Sequence, residues 1–115
     1  MDIKDTVKNL VAAMGTADPA RIAAAYHFEI SYKDLPRGKK SCLVYDLITR
    51  RFSLTISKSL IDNKPAILDT LAYHIGNAVL HCHISPYRDE KQEQKEAGEF
   101  SRLLLASYEQ ERAAV

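Results

Sequence analysis

The spacing of apolar residues changes twice along the chain, and this change limits the fold more than any other feature of the sequence. Apolar residues recur at helical intervals in residues 2–14 and in a short segment after Pro19, alternate with polar residues between 28 and 57, and return to helical intervals over residues 63–83 and 90–111, with a loop between these last two segments. The predicted order is two helices, three strands and two long helices, which is an α+β domain. Because the second and third strands, 41–47 and 51–57, are close in sequence, a hairpin and a small, mostly antiparallel sheet are expected.

Capping residues mark the start of two of these helices. Asp18 is a good N-cap and Pro19 suits the first turn, where no amide donor is needed, so a short helix is predicted after them. Asn63 or Lys64 precedes Pro65 in the same arrangement at the start of the first long helix. The second and third predicted helices therefore have defined starts.

Length and composition indicate one globular domain, residues 1–115. The chain has 115 residues, of which 46% are hydrophobic and 27% are charged, and these values are ordinary for a domain with one modest core. The formal net charge of +1 gives no basic field that would attract nucleic acid. Cys42 and Cys82 do not form a CxxC pattern, so neither a disulfide framework nor a four-ligand zinc site is indicated.

The apolar runs are too short to span a membrane. None reaches the roughly 20 residues that a membrane-spanning helix needs. The opening segment, MDIKDTVKNL, is polar and amphipathic, unlike a signal peptide. We therefore expect a cytoplasmic protein with no membrane partner.

The stretch LAYHIGNAVLH, residues 71–81, resembles the zinc helix of HExxH metallopeptidases. Three further stretches resemble the ImmA/IrrE family of small metallopeptidase domains: DPARIAAAYHFEISYKDLP for the opening helix, strand and turn, RRFSLTIS for the strand beside the cleft, and KEAGEFSRLLL for the final helix. Their order and spacing agree with that family, so the resemblance covers nearly the whole chain. It implies a small zincin-like fold whose zinc helix faces the cleft.

The resemblance does not extend to the catalytic residues. Aligned with the family, Tyr73 and Asn77 replace two zinc-binding histidines, and His74 replaces the glutamate that activates the bound water. Gln94 falls in the position of the third ligand, a glutamate. A phenol and a neutral amide are poor zinc ligands near neutral pH. The resemblance therefore implies a non-catalytic relative with no zinc and no other cofactor.

Tyr73, Asn77 and His81 follow one another at i, i+4 and i+8, so they lie on one stripe of the predicted helix. Two interpretations are open for this stripe. In one, its side chains form hydrogen bonds across the former site and hold the two long helices together. In the other, they line a remodelled cleft that binds a peptide or small ligand without cleaving it.

His74, His81, Cys82 and His83 have the residue types of a metal site. His74 and His81, however, are about two helical turns apart, roughly 10 Å along the axis. One zinc ion with ligand distances of about 2.1 Å cannot bridge that gap. Histidines near the end of a helix are also favoured there by the helix dipole. No metal site is therefore predicted.

Two basic clusters lie in the turns of the strand region: Arg37, Lys39 and Lys40 form one, and Arg50 and Arg51 form the other. If both clusters met at one end of the hairpin, they would be able to contact phosphates. A solvated turn is the commoner explanation for such clusters. The near-neutral net charge also gives nucleic acid binding little support.

These features give one main functional hypothesis and two alternatives. The main hypothesis, which the resemblance supplies, is a catalytically inactive ImmA/IrrE-like domain, encoded by a phage or mobile element, that binds a protein such as a helix-turn-helix repressor. The first alternative is a hydrolase with non-standard residues, in which His74 is the base, Tyr73 the acid, and Glu93 or Glu96 a carboxylate. The sequence positions no nucleophile for it. The second alternative is an accessory protein that contacts nucleic acid. The sequence does not specify an oligomeric state under any of the three hypotheses.

Overall fold

The computed structural model describes residues 2–81 and 89–114, whose helices and strands follow the predicted order. The elements are α1 (Ile3–Met14), α2 (Pro19–Ala25), β1 (Glu29–Lys33), β2 (Ser41–Asp46), β3 (Arg51–Ser57), a 3-10 turn (Lys58–Leu60), α3 (Lys64–Leu80) and α4 (Glu90–Ala113). This order confirms the α+β class. Within the described ranges, no helix is long and apolar enough to cross a membrane.

Side-chain caps begin α2 and α3 where the sequence predicts them. The Asp18 carboxylate accepts a hydrogen bond of 2.9 Å from the amide of Ala20. The Asn63 side chain accepts one of 3.2 Å from the amide of Ala66. Each bond satisfies an amide that the first helical turn leaves without a backbone partner, so both predicted starts are confirmed.

The sheet is mixed, and the expectation of a mostly antiparallel sheet is wrong. β2 and β3 form the predicted antiparallel hairpin, but β1 pairs with β3 in parallel, and the strand order is β1–β3–β2. After β1 the chain forms β2 one strand position away in the sheet. The hairpin turn then brings β3 back into the position between β1 and β2. β3 carries Leu54 and Ile56, both fully buried. Alternation in the sequence identifies strands, but it does not show which strand lies in the middle.

The core joins the sheet to α2, α3 and α4. Leu54 and Ile56 of β3 belong to one buried cluster with Ile22 of α2, Ile75 of α3 and Phe100 of α4. All five side chains are removed from solvent, so the hydrophobic effect holds the helices against the sheet. This packing turns the polar side chains of α3 toward β2 and α4.

A glycine lets the two long helices approach closely. A Cβ atom built on Gly76 of α3 would lie 2.9 Å from Cδ1 of Phe100 in α4. A larger residue at position 76 would therefore push the Phe100 ring, or the whole of α4, away. Close packing here fixes the distance between the polar stripe of α3 and the first turns of α4.

Candidate functional site

A buried histidine lies where α3 passes the start of β2. His74 is only 8% exposed, and its Nε2 atom lies 2.8 Å from the Oγ atom of Ser41, the first residue of β2. Ser41 pairs with Ile56, a buried residue of β3, so it lies on the face of the sheet that packs against the helices. Strand register and helix packing together bring the two side chains into contact.

Burial controls the protonation of His74. Desolvation lowers the pKa of this imidazole from 6.5 to about 4, so the ring is neutral at physiological pH. Its Nδ1 atom is buried and has no hydrogen-bond partner among the described residues. If the Ser41 hydroxyl donates to Nε2, the ring proton lies on Nδ1. The site therefore contains a neutral imidazole bonded to a hydroxyl at one nitrogen only.

Asn77, His81 and Glu96 form a chain of contacts between the two long helices. The Nδ1 atom of His81 lies 3.2 Å from Oδ1 of Asn77, and its Nε2 atom lies 3.3 Å from Oε1 of Glu96. The His81 side chain is 6% exposed, and the Glu96 side chain is 30% exposed. Two members of the predicted stripe thus contact each other and connect α3 to α4.

Two clefts are bordered by both Ser41 and His74. The first, called here the Tyr73 cleft, has a volume of about 330 Å³ and is also lined by Lys40, Leu60, Ala66, Asp69, Thr70, Tyr73, Gly98 and Ser101. The second, the Asn77 cleft, has a volume of about 300 Å³ and is also lined by Lys39, Cys42, Leu43, Asn77, Glu90, Glu93 and Gln94. Each is large enough for one or two side chains of a partner.

The structure divides the positions aligned with the metallopeptidase motif between these clefts. Asn77 and Gln94 line the Asn77 cleft together, and Tyr73 lines the other cleft. His74 borders both, with its ring 5.4 Å from that of Tyr73 in an edge-on arrangement. Within residues 2–81 and 89–114, no group of three or more His, Cys, Asp or Glu side chains is placed to hold a metal ion. Cys82 and His83, the other two members of the cluster of metal-binding residue types noted in the sequence, lie outside the described residues.

The two basic clusters do not form one surface. Arg37, Lys39 and Lys40 precede β2, whereas Arg50 and Arg51 follow the other end of it. Ser41 pairs with Ile56 and Asp46 pairs with Arg51, so the clusters are separated by the length of the hairpin, roughly 17 Å at about 3.4 Å per residue. The condition for a shared phosphate contact, both clusters at one end of the hairpin, is therefore not met.

Two residues of the site differ from the prediction made from the sequence. Ser41 has no predicted role, because its contact with His74 joins a strand to a distant helix. Glu96 is predicted only as an alternative carboxylate, and the structure pairs it with His81. The sequence offered only one signal for Ser41, the strand alternation that places it on the same face as Leu43.

Comparison with known proteins adds no family to this description. Neither a protein-family model nor a curated protein sequence matches the chain. The resemblance to ImmA/IrrE domains therefore rests on the stretches quoted above and on the order of the elements.

Proposed function

We propose that the chain is a catalytically inactive, metallopeptidase-like domain of zincin-like fold that binds a protein partner through the Tyr73 and Asn77 clefts. A cytoplasmic transcriptional repressor with a helix-turn-helix, encoded with this chain on a phage or mobile element, is the partner class we favour. One observation carries the proposal: His74, at the position aligned with the catalytic glutamate, is buried, neutral and hydrogen-bonded to Ser41.

The chemistry of His74 argues against base catalysis. A general base works best when its pKa lies near the working pH, and a pKa of about 4 makes this imidazole a weak base near neutrality. Asn77, aligned with a zinc ligand, directs its side-chain oxygen toward His81. The polar groups of the aligned motif thus hold parts of the domain together, which is typical of a remodelled site.

The surroundings of the clefts suit an extended segment of a partner. β2 is an edge strand, because β3 is its only strand neighbour among the described residues. An extended segment can pair with such an edge through its backbone and place alternate side chains in adjacent clefts. Lys39 and Glu90 both line the Asn77 cleft, so a polar or charged side chain of the partner fits there better than an apolar one.

The proposal is tested by measuring binding and stability on the same variants. The partner is first isolated by a pull-down from the native host and identified by mass spectrometry. The Tyr73→Ala variant should then bind this purified partner at least about tenfold more weakly, since tyrosines are enriched among the interface residues whose loss costs about 2 kcal/mol or more. Tyr108→Ala, a half-buried tyrosine outside both clefts, is the matched control and should keep full affinity.

Melting temperatures of the same variants separate binding from folding. If Tyr73→Ala lowers the melting temperature as much as Tyr108→Ala and leaves the affinity intact, the cleft is structural and the proposal fails. Asn77→Ala gives a second test of the same kind in the other cleft, although loss of its contact with His81 should also lower stability.

A serine hydrolase is the second candidate, and the contact between Ser41 and His74 favours it. In that mechanism Oγ of Ser41 attacks an acyl carbonyl, His74 takes the hydroxyl proton and returns it to the leaving group, and water then releases the acyl group. The weak basicity of His74 places this candidate second. A fluorophosphonate probe decides between them: labelling of the native chain that is lost in Ser41→Ala would establish a reactive serine.

A further inference from the structure

Two large aliphatic side chains are exposed at the apex of the hairpin between β2 and β3. Leu47 is 66% exposed and Ile48 is 93% exposed, more than any other large hydrophobic residue described. A single exposed aliphatic residue is ordinary on a protein surface. Two adjacent exposed aliphatic residues at a projecting turn form a small apolar patch, which is a feature of contact surfaces. Residues 46–51 are called here the hairpin tip.

Hydrogen bonds hold the hairpin tip in one shape. The Asp46 carboxylate accepts from the amides of Ile48 at 2.8 Å and Thr49 at 3.2 Å, and the Asp46 carbonyl accepts from the amide of Arg50 at 2.7 Å. The two bonds to the carboxylate lower the pKa of Asp46. The apolar side chains are therefore presented by an ordered turn, so little ordering is needed when the tip meets a surface.

The turn carries an arginine where a glycine would be more stable. Arg50 has a φ of 58°, in the left-handed region that glycine or asparagine adopts at lower cost. Arg51 follows it at the start of β3, and both arginines are exposed. The only acid in the tip, Asp46, faces the amides of the turn. The tip therefore combines an apolar apex with two positively charged side chains that follow it in sequence.

An apolar apex followed by positively charged side chains matches the change from acyl chains to phosphate headgroups at the surface of a lipid bilayer. Arg50 and Arg51 lie two to four residues behind the apex in sequence, at most roughly 7–13 Å along an extended strand. Apolar side chains of peripheral proteins enter the boundary between headgroups and acyl chains by about 5–10 Å. With Leu47 and Ile48 at that depth, the two guanidinium groups reach the level of the lipid phosphates. Such a contact needs no spanning helix, so it departs from the expectation of no membrane partner, which rested on the shortness of the apolar runs.

We propose that the hairpin tip docks on an anionic lipid surface, with Leu47 and Ile48 inserted and Arg50 and Arg51 paired with headgroups. The inference does not depend on the proposed binding clefts, because the tip lies at the opposite end of β2 from Ser41. The contact is weak and reversible, since one small apolar patch and two charges give much less affinity than a lipid anchor.

Vesicle co-flotation of the full chain tests the proposal. We expect binding to vesicles of phosphatidylcholine with about one third phosphatidylserine, weaker binding to phosphatidylcholine alone, and release at high salt. Leu47→Ser with Ile48→Ser should reduce binding at least about tenfold, because several buried methylene groups are lost. Arg50→Gln and Arg51→Gln should each reduce it about fivefold.

Matched controls use aliphatic residues exposed elsewhere. Val44→Ser with Ile61→Ser changes side chains that are 56% and 53% exposed and lie outside the tip, so vesicle binding should not change. Unchanged melting temperatures would show that all the variants fold. Failure of the native chain to float with anionic vesicles, or equal flotation of the Leu47 and Ile48 variant, overturns the proposal. So does a result in which tip variants lose affinity only for a purified protein partner.

Discussion

Gly76 and Gly98 lie on the two long helices, and their surroundings predict opposite effects of one added methyl group. A Cβ at Gly76 would lie 2.9 Å from Phe100, whereas a Cβ at Gly98 would meet nothing within 4 Å. Gly98→Ala should therefore raise the free energy of unfolding by about 0.5–1 kcal/mol, through the higher helix propensity of alanine. Gly76→Ala should lower it by about 1–3 kcal/mol, because the core is overpacked.

Urea denaturation of this matched pair measures both changes. Each variant replaces glycine by alanine inside a helix, so propensity contributes equally and packing alone separates them. Equal effects of the two substitutions would mean that α3 and α4 are not in close contact at Gly76.

The pKa of His74 predicts how stability depends on pH. The folded pKa of about 4 lies below the unfolded value of 6.5, so the folded state disfavours the proton. Above pH 6.5 the ring is neutral in both states and does not reduce stability. As pH falls from 6.5 toward 4 the unfolded state takes up the proton first, so the free energy of unfolding decreases. The loss should approach about 3 kcal/mol, from about 1.4 kcal/mol per pKa unit.

Replacing the His74 imidazole by a side chain that does not titrate isolates this effect. His74→Gln should flatten the fall in unfolding free energy between pH 6.5 and pH 4, whereas the native chain should show the full fall. The measurement is urea denaturation at a series of pH values. An equally steep fall in the His74 variant would show that the ring is not buried as described.

At the scale of elements, the last turns of α4 hold the connection between α1 and α2. The two Glu111 carboxylate oxygens accept hydrogen bonds of 2.8 Å, one from the Thr16 hydroxyl and one from the Ala17 amide. The amide bond, followed by the hydroxyl bond, lowers the pKa of Glu111 below its usual 4.5. The carboxylate therefore stabilises the fold above that pH, and this contribution is lost as pH falls through the lowered pKa.

Glu111→Gln should lower the melting temperature at pH 7, because the charged acceptor of two hydrogen bonds is lost. Glu109→Gln is the control, since Glu109 is exposed and contacts only Arg112 among the bonds described, at 3.4 Å. The difference between the variants should shrink as the pH is lowered below the usual range of glutamate. A Glu109 variant that melts as early as the Glu111 variant would contradict this role.

The elements also show what the sequence was able to predict. Helices, strands and the caps at Asp18 and Asn63 follow from local periodicity and backbone chemistry, so they were predicted closely. The parallel pairing of β1 with β3 was not, because strand order depends on packing between distant segments. For the same reason the contact between Ser41 and His74 is not predicted, whereas the contact between Asn77 and His81 follows from their spacing of four residues, although α3 ends at Leu80 and His81 is the residue after it.

At the scale of the whole molecule, the metallopeptidase resemblance makes a prediction about zinc. If Tyr73, His74, Asn77 and Gln94 occupy the former ligand and base positions, restoring the family's residues there should raise the affinity for zinc. The fourfold variant combines Tyr73→His, His74→Glu, Asn77→His and Gln94→Glu. It would provide three ligands and leave one coordination position for water.

Isothermal titration with zinc compares this variant with the native chain and with the single change Gln94→Glu. We expect at least about a hundredfold gain over the native chain for the fourfold variant, because two histidines four residues apart on one helix and a carboxylate are ligand types that zinc prefers. The single change should give little gain. A folded fourfold variant that binds zinc no better than the native chain would mean that the alignment is wrong.

Under the proposed function, the domain binds a protein without cleaving it. The most direct test is the intact mass of the captured partner, measured by mass spectrometry after prolonged incubation with purified native chain. We expect a stable complex in which the mass of the partner does not change. A partner converted into fragments by the native chain, but left whole by His74→Ala, would overturn the proposed function and establish an enzyme.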